Sequence, residues 1–134
     1  MARKPDRELV DTLTQVTDLD PKVVSALAAA GARVNIPERW SVMSEKTPAD
    51  MAYVLLDGQV DVRKDGESVA TLEPGAIFGE IALLEHSLRS ASVFALTPIT
   101  VLRIDAPSLQ KIADDHPAFA QSMSTEAGMR RAGS

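Results

Sequence analysis

Between Ile36 and Ile104 the chain is broken at short intervals by turn-forming residues: Asp57-Gly58, Asp65-Gly66, Pro74-Gly75, then Gly79 and Thr97-Pro98. Glycine reaches the positive φ values that tight turns need, and proline presets the first turn torsion, so these residues stop any long helix from running through the segment. The runs between them are short and rich in residues that fit a pleated surface. Val60 and Val62 alternate with polar neighbours, Ala91, Val93 and Ala95 alternate with Ser92 and Phe94, and the run from Ile99 to Ile104 is largely β-branched. Short strands at this spacing, each with one face turned inward, predict a small all-β barrel or sandwich. One run does not fit: Ile77 to Leu84 is interrupted by Gly79 and Glu80 and is too irregular for a simple strand.

Helical signals lie on both sides of this block. Asp20 as N-cap, Pro21 in the first turn, apolar Val23, Val24, Leu27 and Ala28, and Gly31 past the end predict a short helix. A weaker helix is predicted from about Arg7 to Val16, with Leu9, Val10, Leu13 and Val16 on one face. On the other side Asp105 caps a run through Ser108, Leu109 and Ile112, and His116-Pro117 opens another through Phe119, Met123 and Ala127 to about Gly128. A chain of 134 residues suits one domain, with N-terminal helices over residues 6–31, a β block over 36–104 and C-terminal helices over 106–131.

Composition removes several function classes. The chain is 45% hydrophobic and 25% charged, and its apolar stretches are only a few residues long, as from Ala52 to Leu56, so no membrane-spanning helix is expected. The N-terminal Arg3, Lys4 and Arg7 are not followed by the apolar core of a secretory signal, which leaves the cytoplasm as the default compartment. There is no cysteine, and His86 and His116 stand thirty positions apart, so neither thiolate chemistry nor a histidine metal site is expected, and a cupin-type enzyme is disfavoured. A net charge of −5 with few aromatic residues argues against a nucleic-acid-binding surface.

The segment with chemical content is Phe78-Gly79-Glu80-Ile81-Ala82-Leu83-Leu84, a short loop, then Arg89-Ser90-Ala91-Ser92-Val93. A glycine ahead of a single helical turn lets free backbone N–H groups converge on one point, which suits an anion. Arg89 adds a planar two-pronged donor for a phosphate. Glu80 would repel that phosphate but suits a neighbouring hydroxyl pair such as a ribose.

At these residues the chain resembles the cyclic-nucleotide-binding domain family, which includes the bacterial cyclic-AMP receptor protein, regulatory subunits of cyclic-AMP-dependent protein kinase and cyclic-nucleotide-gated channels. The resemblance spans about residues 36–128 and is densest in the family's phosphate-binding cassette, F-G-E-(I/L)-A-L-L, a loop, then R-(A/S/T)-A-(S/T)-V. The spacing of nine positions from Glu80 to Arg89 is kept. The resemblance implies a mainly β fold with flanking helices. Its centre is an eight-stranded, jelly-roll-like β-roll (a double-stranded β-helix), with N-terminal helices and C-terminal B and C helices. It implies that Glu80 accepts the ribose 2′-hydroxyl and that Arg89 pairs with the cyclic phosphate. Backbone N–H groups of Ile81, Ala82 and Ala91, with Gly79 at the approach, complete the phosphate shell. Ser90 can reach the phosphate or a guanine edge, Val62, Ala70 and Leu72 face the base, and the helix after Pro117 closes as a lid.

The chain departs from the family pattern at Glu85, His86 and Leu88 in the cassette loop, and at Arg39 and Lys46, where turn glycines are usual. The function implied is that of a non-enzymatic sensor without cofactor. It binds cyclic AMP, or in second place cyclic GMP, and signals to a protein effector in cis or in trans. Homodimerisation is left open, and the initial Met1 favours a stand-alone or N-terminal module. The competing expectation is a roll that has lost its ligand, pairs Glu80 with Arg89 as a structural ion pair, and serves as a docking or dimerisation domain.

Overall fold

The computed structural model describes residues 6–80, 82 and 87–123. Helix α1, Arg7–Val16, starts where the Asp6 carboxylate accepts from the N–H groups of Glu8 and Leu9 at 2.9 and 3.2 Å. It ends at Thr17, whose backbone N–H and side-chain hydroxyl both donate to the Leu13 carbonyl. Helix α2, Pro21–Ala30, is capped by Asp20 and buries Val23, Val24, Leu27 and Ala28, the face predicted from the spacing.

Eight strands follow among the described residues: β1 (Ala32–Ile36), β2 (Ser41–Met43), β3 (Met51–Asp57), β4 (Val60–Lys64), β5 (Glu67–Leu72), β6 (Ile77–Phe78), β7 (Ser92–Ala95) and β8 (Ile99–Asp105). They form two four-stranded antiparallel sheets, ordered β1-β8-β3-β6 and β2-β7-β4-β5. The chain changes sheet at nearly every turn, and only the β4–β5 hairpin stays within one. This is the β-roll anticipated from the sequence. Strand structure begins at Ala32, not Ile36; β1 is an edge strand whose residues are at best half-buried, with Val34 and Ile36 turned toward the inter-sheet core and Arg33 and Asn35 exposed.

β3 and β8 carry both cores, which explains why Ala52 to Leu56 is uninterruptedly apolar. Ala52, Val54, Leu56, Leu102 and Ile104 face the helices, packing with Leu9, Leu13 and Leu27. On the opposite face Leu55, Ile99 and Val101 meet Val60, Phe78, Val93 and Ala95 in the space between the sheets. Each fully buried side chain of this size is worth about 1.5–3 kcal/mol, so the central strands anchor both layers.

Helix α3, Ala106–Asp115, is capped by Asp105, which accepts from the Ser108 N–H at 2.8 Å, and it buries Leu109, Ile112 and Ala113. Residues 117–123 are again helical, and Phe119 and Met123 pack into the helix-side core. The remainder of the predicted C-terminal helix lies outside the described residues. Among the described residues no helix is long and apolar enough to cross a membrane.

Candidate functional site

The irregular run after Pro74 resolves into three pieces. Ile77 and Phe78 pair with Val54 and Tyr53 as the short strand β6, and Phe78 stacks on Tyr53 with ring centroids 5.2 Å apart. Gly79 then takes φ +84°, a conformation a side chain resists, and Glu80 and Ala82 are already helical. A β-carbon at position 79 would lie 2.7 Å from Arg89 Nη1, so glycine is required for close approach as well as for backbone torsion. Ile81, Leu83 and Leu84 lie outside the described residues, as do Glu85 and His86. Ala82 is buried, and its carbonyl accepts from the Ser87 N–H at 3.0 Å, which ties the two halves of the motif together.

Arg89 reaches back across this junction. Its side chain is buried, with Nη1 donating to the Gly79 carbonyl and Nη2 to the Met51 carbonyl, each at 2.6 Å. These bonds run to neutral backbone carbonyls, and the Glu80 carboxylate acts on the guanidinium through its charge. Burial pushes the pKa of Arg89 down, while Tyr53, Asp50 and Glu80 push it back up through their charges. The group stays a cation, as arginine does in proteins. Burial likewise raises the Tyr53 hydroxyl, with Arg89 opposing. Glu80 is almost fully buried beside these groups, at 1% exposure.

Ala91 is buried at the entrance to β7, whereas Ser90 is exposed. From there β7 runs alongside β4, placing Val93 opposite Val62 and Ala95 opposite Val60. Across the hairpin Val62 faces Ala70 and Val60 faces Leu72. Directly opposed residues in antiparallel strands share a face, so Val62, Ala70 and Leu72 look toward the interior between the sheets with Val60 and Val93. Val62 and Leu72 are half-buried and Ala70 is exposed. Val62 and Leu72 thus pack on the inter-sheet core, while Arg89 and Glu80 are buried at the junction that follows β6.

Sequence reasoning missed the groups that hold Arg89. The Gly79, Met51 and Thr47 carbonyls are backbone acceptors and carry no residue-type signal. Asp50 acts through its charge, and nothing in its spacing marked it. Among the described residues no group of three histidine, cysteine or acidic side chains is placed to hold a metal ion.

Two four-stranded antiparallel sheets, with a buried arginine held against a positive-φ glycine, define a small β-roll domain. The chain belongs to the cyclic nucleotide-binding domain family, whose model matches residues 33–116. It is 32% identical over 106 residues to Glutaminase 2 of Bradyrhizobium diazoefficiens, covering 78% of this chain and 17% of that protein. It is 24% identical over 110 residues to the CRP-like cAMP-activated global transcriptional regulator of Mycobacterium tuberculosis, covering 78% of this chain and 49% of the regulator. Among solved structures it resembles cAMP-bound PfPKA-R (141-441), with a TM-score of 0.75, 24% identity, and coverage of 91% of this chain and 48% of that one. The chain thus spans half or less of the length of these relatives. The family is one of regulatory binding domains.

Proposed function

We propose that this chain is a cyclic-nucleotide sensor that binds cyclic AMP in preference to cyclic GMP and passes the binding event on through its C-terminal helices. The observation that carries this is the buried Arg89 guanidinium, whose hydrogen bonds among the described residues go to two neutral carbonyls. A buried cation in that setting gains from an anion that brings its own charge, and a cyclic phosphate presents two oxygens to the guanidinium fork. In this reading Gly79 and the N–H groups of Ile81, Ala82 and Ala91 complete the phosphate shell, Ser90 adds a hydroxyl, and Glu80 accepts from the ribose 2′-hydroxyl. Val62, Ala70 and Leu72 take the base.

Transmission rests on the helix-side core. Phe119 and Met123 pack on the same cluster as Leu102 and Ile104 of β8, so a shift of the roll is felt by the helices after His116. The whole of residues 1–134 acts as one module whose output goes to a protein effector in cis or in trans, in the cytoplasm, without cofactor and without chemistry of its own. That the sequence relatives include a cAMP-activated regulator supports the choice of ligand.

Equilibrium dialysis with labelled cyclic AMP tests this, using unlabelled cyclic GMP and 5′-AMP as competitors. One saturable site is expected, displaced by cyclic GMP at higher concentration and poorly by 5′-AMP, whose open phosphate has a different shape and charge. Absence of a saturable site in folded protein would overturn the reading and favour the docking domain.

A further inference from the structure

The segment between β2 and β3, residues 44–50, grips the cassette at several points. The Lys46 N–H donates to the Arg89 carbonyl at 2.7 Å and the Arg89 N–H donates to the Thr47 carbonyl at 2.8 Å. Pro48 and Leu88 form an antiparallel bridge next to them. At the end of the loop the Met51 carbonyl takes Arg89 Nη2. At its start the Glu45 N–H donates to Ser92 Oγ at 2.9 Å, while Glu45 Oε1 accepts from the Asp65 N–H at 3.1 Å in the β4–β5 turn. Arg89 is therefore held at its backbone by this segment, and at its guanidinium by Met51, where the segment enters β3, together with Gly79.

We propose that this loop positions the Arg89 guanidinium for the phosphate, and that Thr47 and Lys46 are positioning residues that set affinity in opposite directions. The inference rests on the sensor reading above. An arginine side chain loses much rotamer freedom when it binds, and a scaffold that has already fixed it removes that loss from the binding step. The shape of the scaffold depends on two residues. Thr47 Oγ1 donates to the Ser44 carbonyl at 2.5 Å and closes the turn. Lys46 sits at φ +66°, a torsion that glycine adopts freely and lysine does not. Thr47 supports the loop; Lys46 strains it.

The test combines calorimetric titration of cyclic AMP with 15N spectra of the guanidinium, in the parent and in Thr47→Val, Lys46→Gly and Lys46→Ala. Thr47→Val keeps the shape and loses one hydrogen bond, so binding weakens by about threefold to tenfold. Lys46→Ala removes the charge but keeps the strain, so Lys46→Gly is compared with it and binds about twofold to fivefold tighter. A merely structural role would not move the spectrum. Without nucleotide the parent is expected to show broadened Arg89 Nη signals, sharpened into separate pairs in Lys46→Gly and merged in Thr47→Val. Unchanged affinity in Thr47→Val, or weaker binding with an unaltered guanidinium spectrum, overturns the positioning role alone. A parent that binds no cyclic nucleotide overturns the sensor reading and this inference together.

Discussion

Arg89 Nη1 lies 2.6 Å from the Gly79 carbonyl oxygen and 2.7 Å from where a β-carbon on residue 79 would stand. The two halves of the motif are thus in direct contact. The glycine is the only residue type that lets the guanidinium approach while its own φ stays at +84°.

Gly79→Ala is therefore expected to damage both fold and binding. The added methyl meets Arg89 Nη1 in a torsion alanine resists, and strain of this kind costs about 1–3 kcal/mol. Urea denaturation should show a stability loss in that range. Cyclic AMP affinity should fall further than that of a surface variant of equal stability, because Arg89 is displaced.

Glu80→Gln tests the assignment of the sugar. The buried carboxylate is proposed to accept from the ribose hydroxyl, and a hydrogen bond to a charged group is worth about 1.5–3 kcal/mol. The parent is expected to prefer cyclic AMP to its 2′-deoxy analogue by roughly tenfold or more. Competition binding should show that preference shrinking in Glu80→Gln, with the deoxy analogue little affected.

Arg39 stands at φ +71° in the β1–β2 turn, and its side chain is 90% exposed. Its backbone N–H donates to the Ala95 carbonyl, a bond that glycine keeps. Arg39→Gly is expected to stabilise the protein by up to about 1 kcal/mol by removing left-handed strain, with cyclic AMP affinity unchanged. Equal or lower stability in urea would show that the strain is already relieved elsewhere.

Asp61 gives the roll a defined acid response. Its carboxylate accepts from the Ser68 hydroxyl at 2.5 Å and from Arg63 Nε at 2.6 Å, and these bonds hold its pKa below the ordinary carboxylate value, the serine first. Because the folded-state value is depressed, its stabilisation is complete above the unfolded-chain pKa of about 3.9 and is lost as pH falls from there through the folded value. Asp61→Asn should be destabilised by about 1–3 kcal/mol at neutral pH. Urea midpoints taken between neutral and strongly acid pH should converge with the parent's only on the acid side.

How much of this was legible in sequence follows from which signals side chains carry. The caps Asp20 and Asp105, the buried face of α2 and the inward set Val60, Val62 and Val93 were readable, since each rests on residue type at fixed spacing. β1 was not: Val34 and Ile36 do alternate with Arg33 and Asn35, but as an edge strand it buries little. Glu80, Arg89 and the positive-φ Gly79 stood out as a motif, and the departures at Arg39 and Lys46 marked two turns that do adopt positive φ. The Met51, Thr47 and Gly79 carbonyls that hold Arg89 were invisible, because any residue supplies a carbonyl and only the fold brings these three together.

Arg89 is proposed to hold the cyclic phosphate, and isothermal titration with cyclic AMP and cyclic GMP in parallel reads this out, with Arg89→Ala and Arg89→Lys as controls. Losing one partner of a buried charged pair costs about 2–5 kcal/mol, so saturable binding by the parent should weaken by roughly tens to thousands of fold in Arg89→Ala. Arg89→Lys should also lose affinity, since lysine lacks the planar fork. No heat with either nucleotide from folded parent protein, or control affinities within twofold of the parent's, would contradict it.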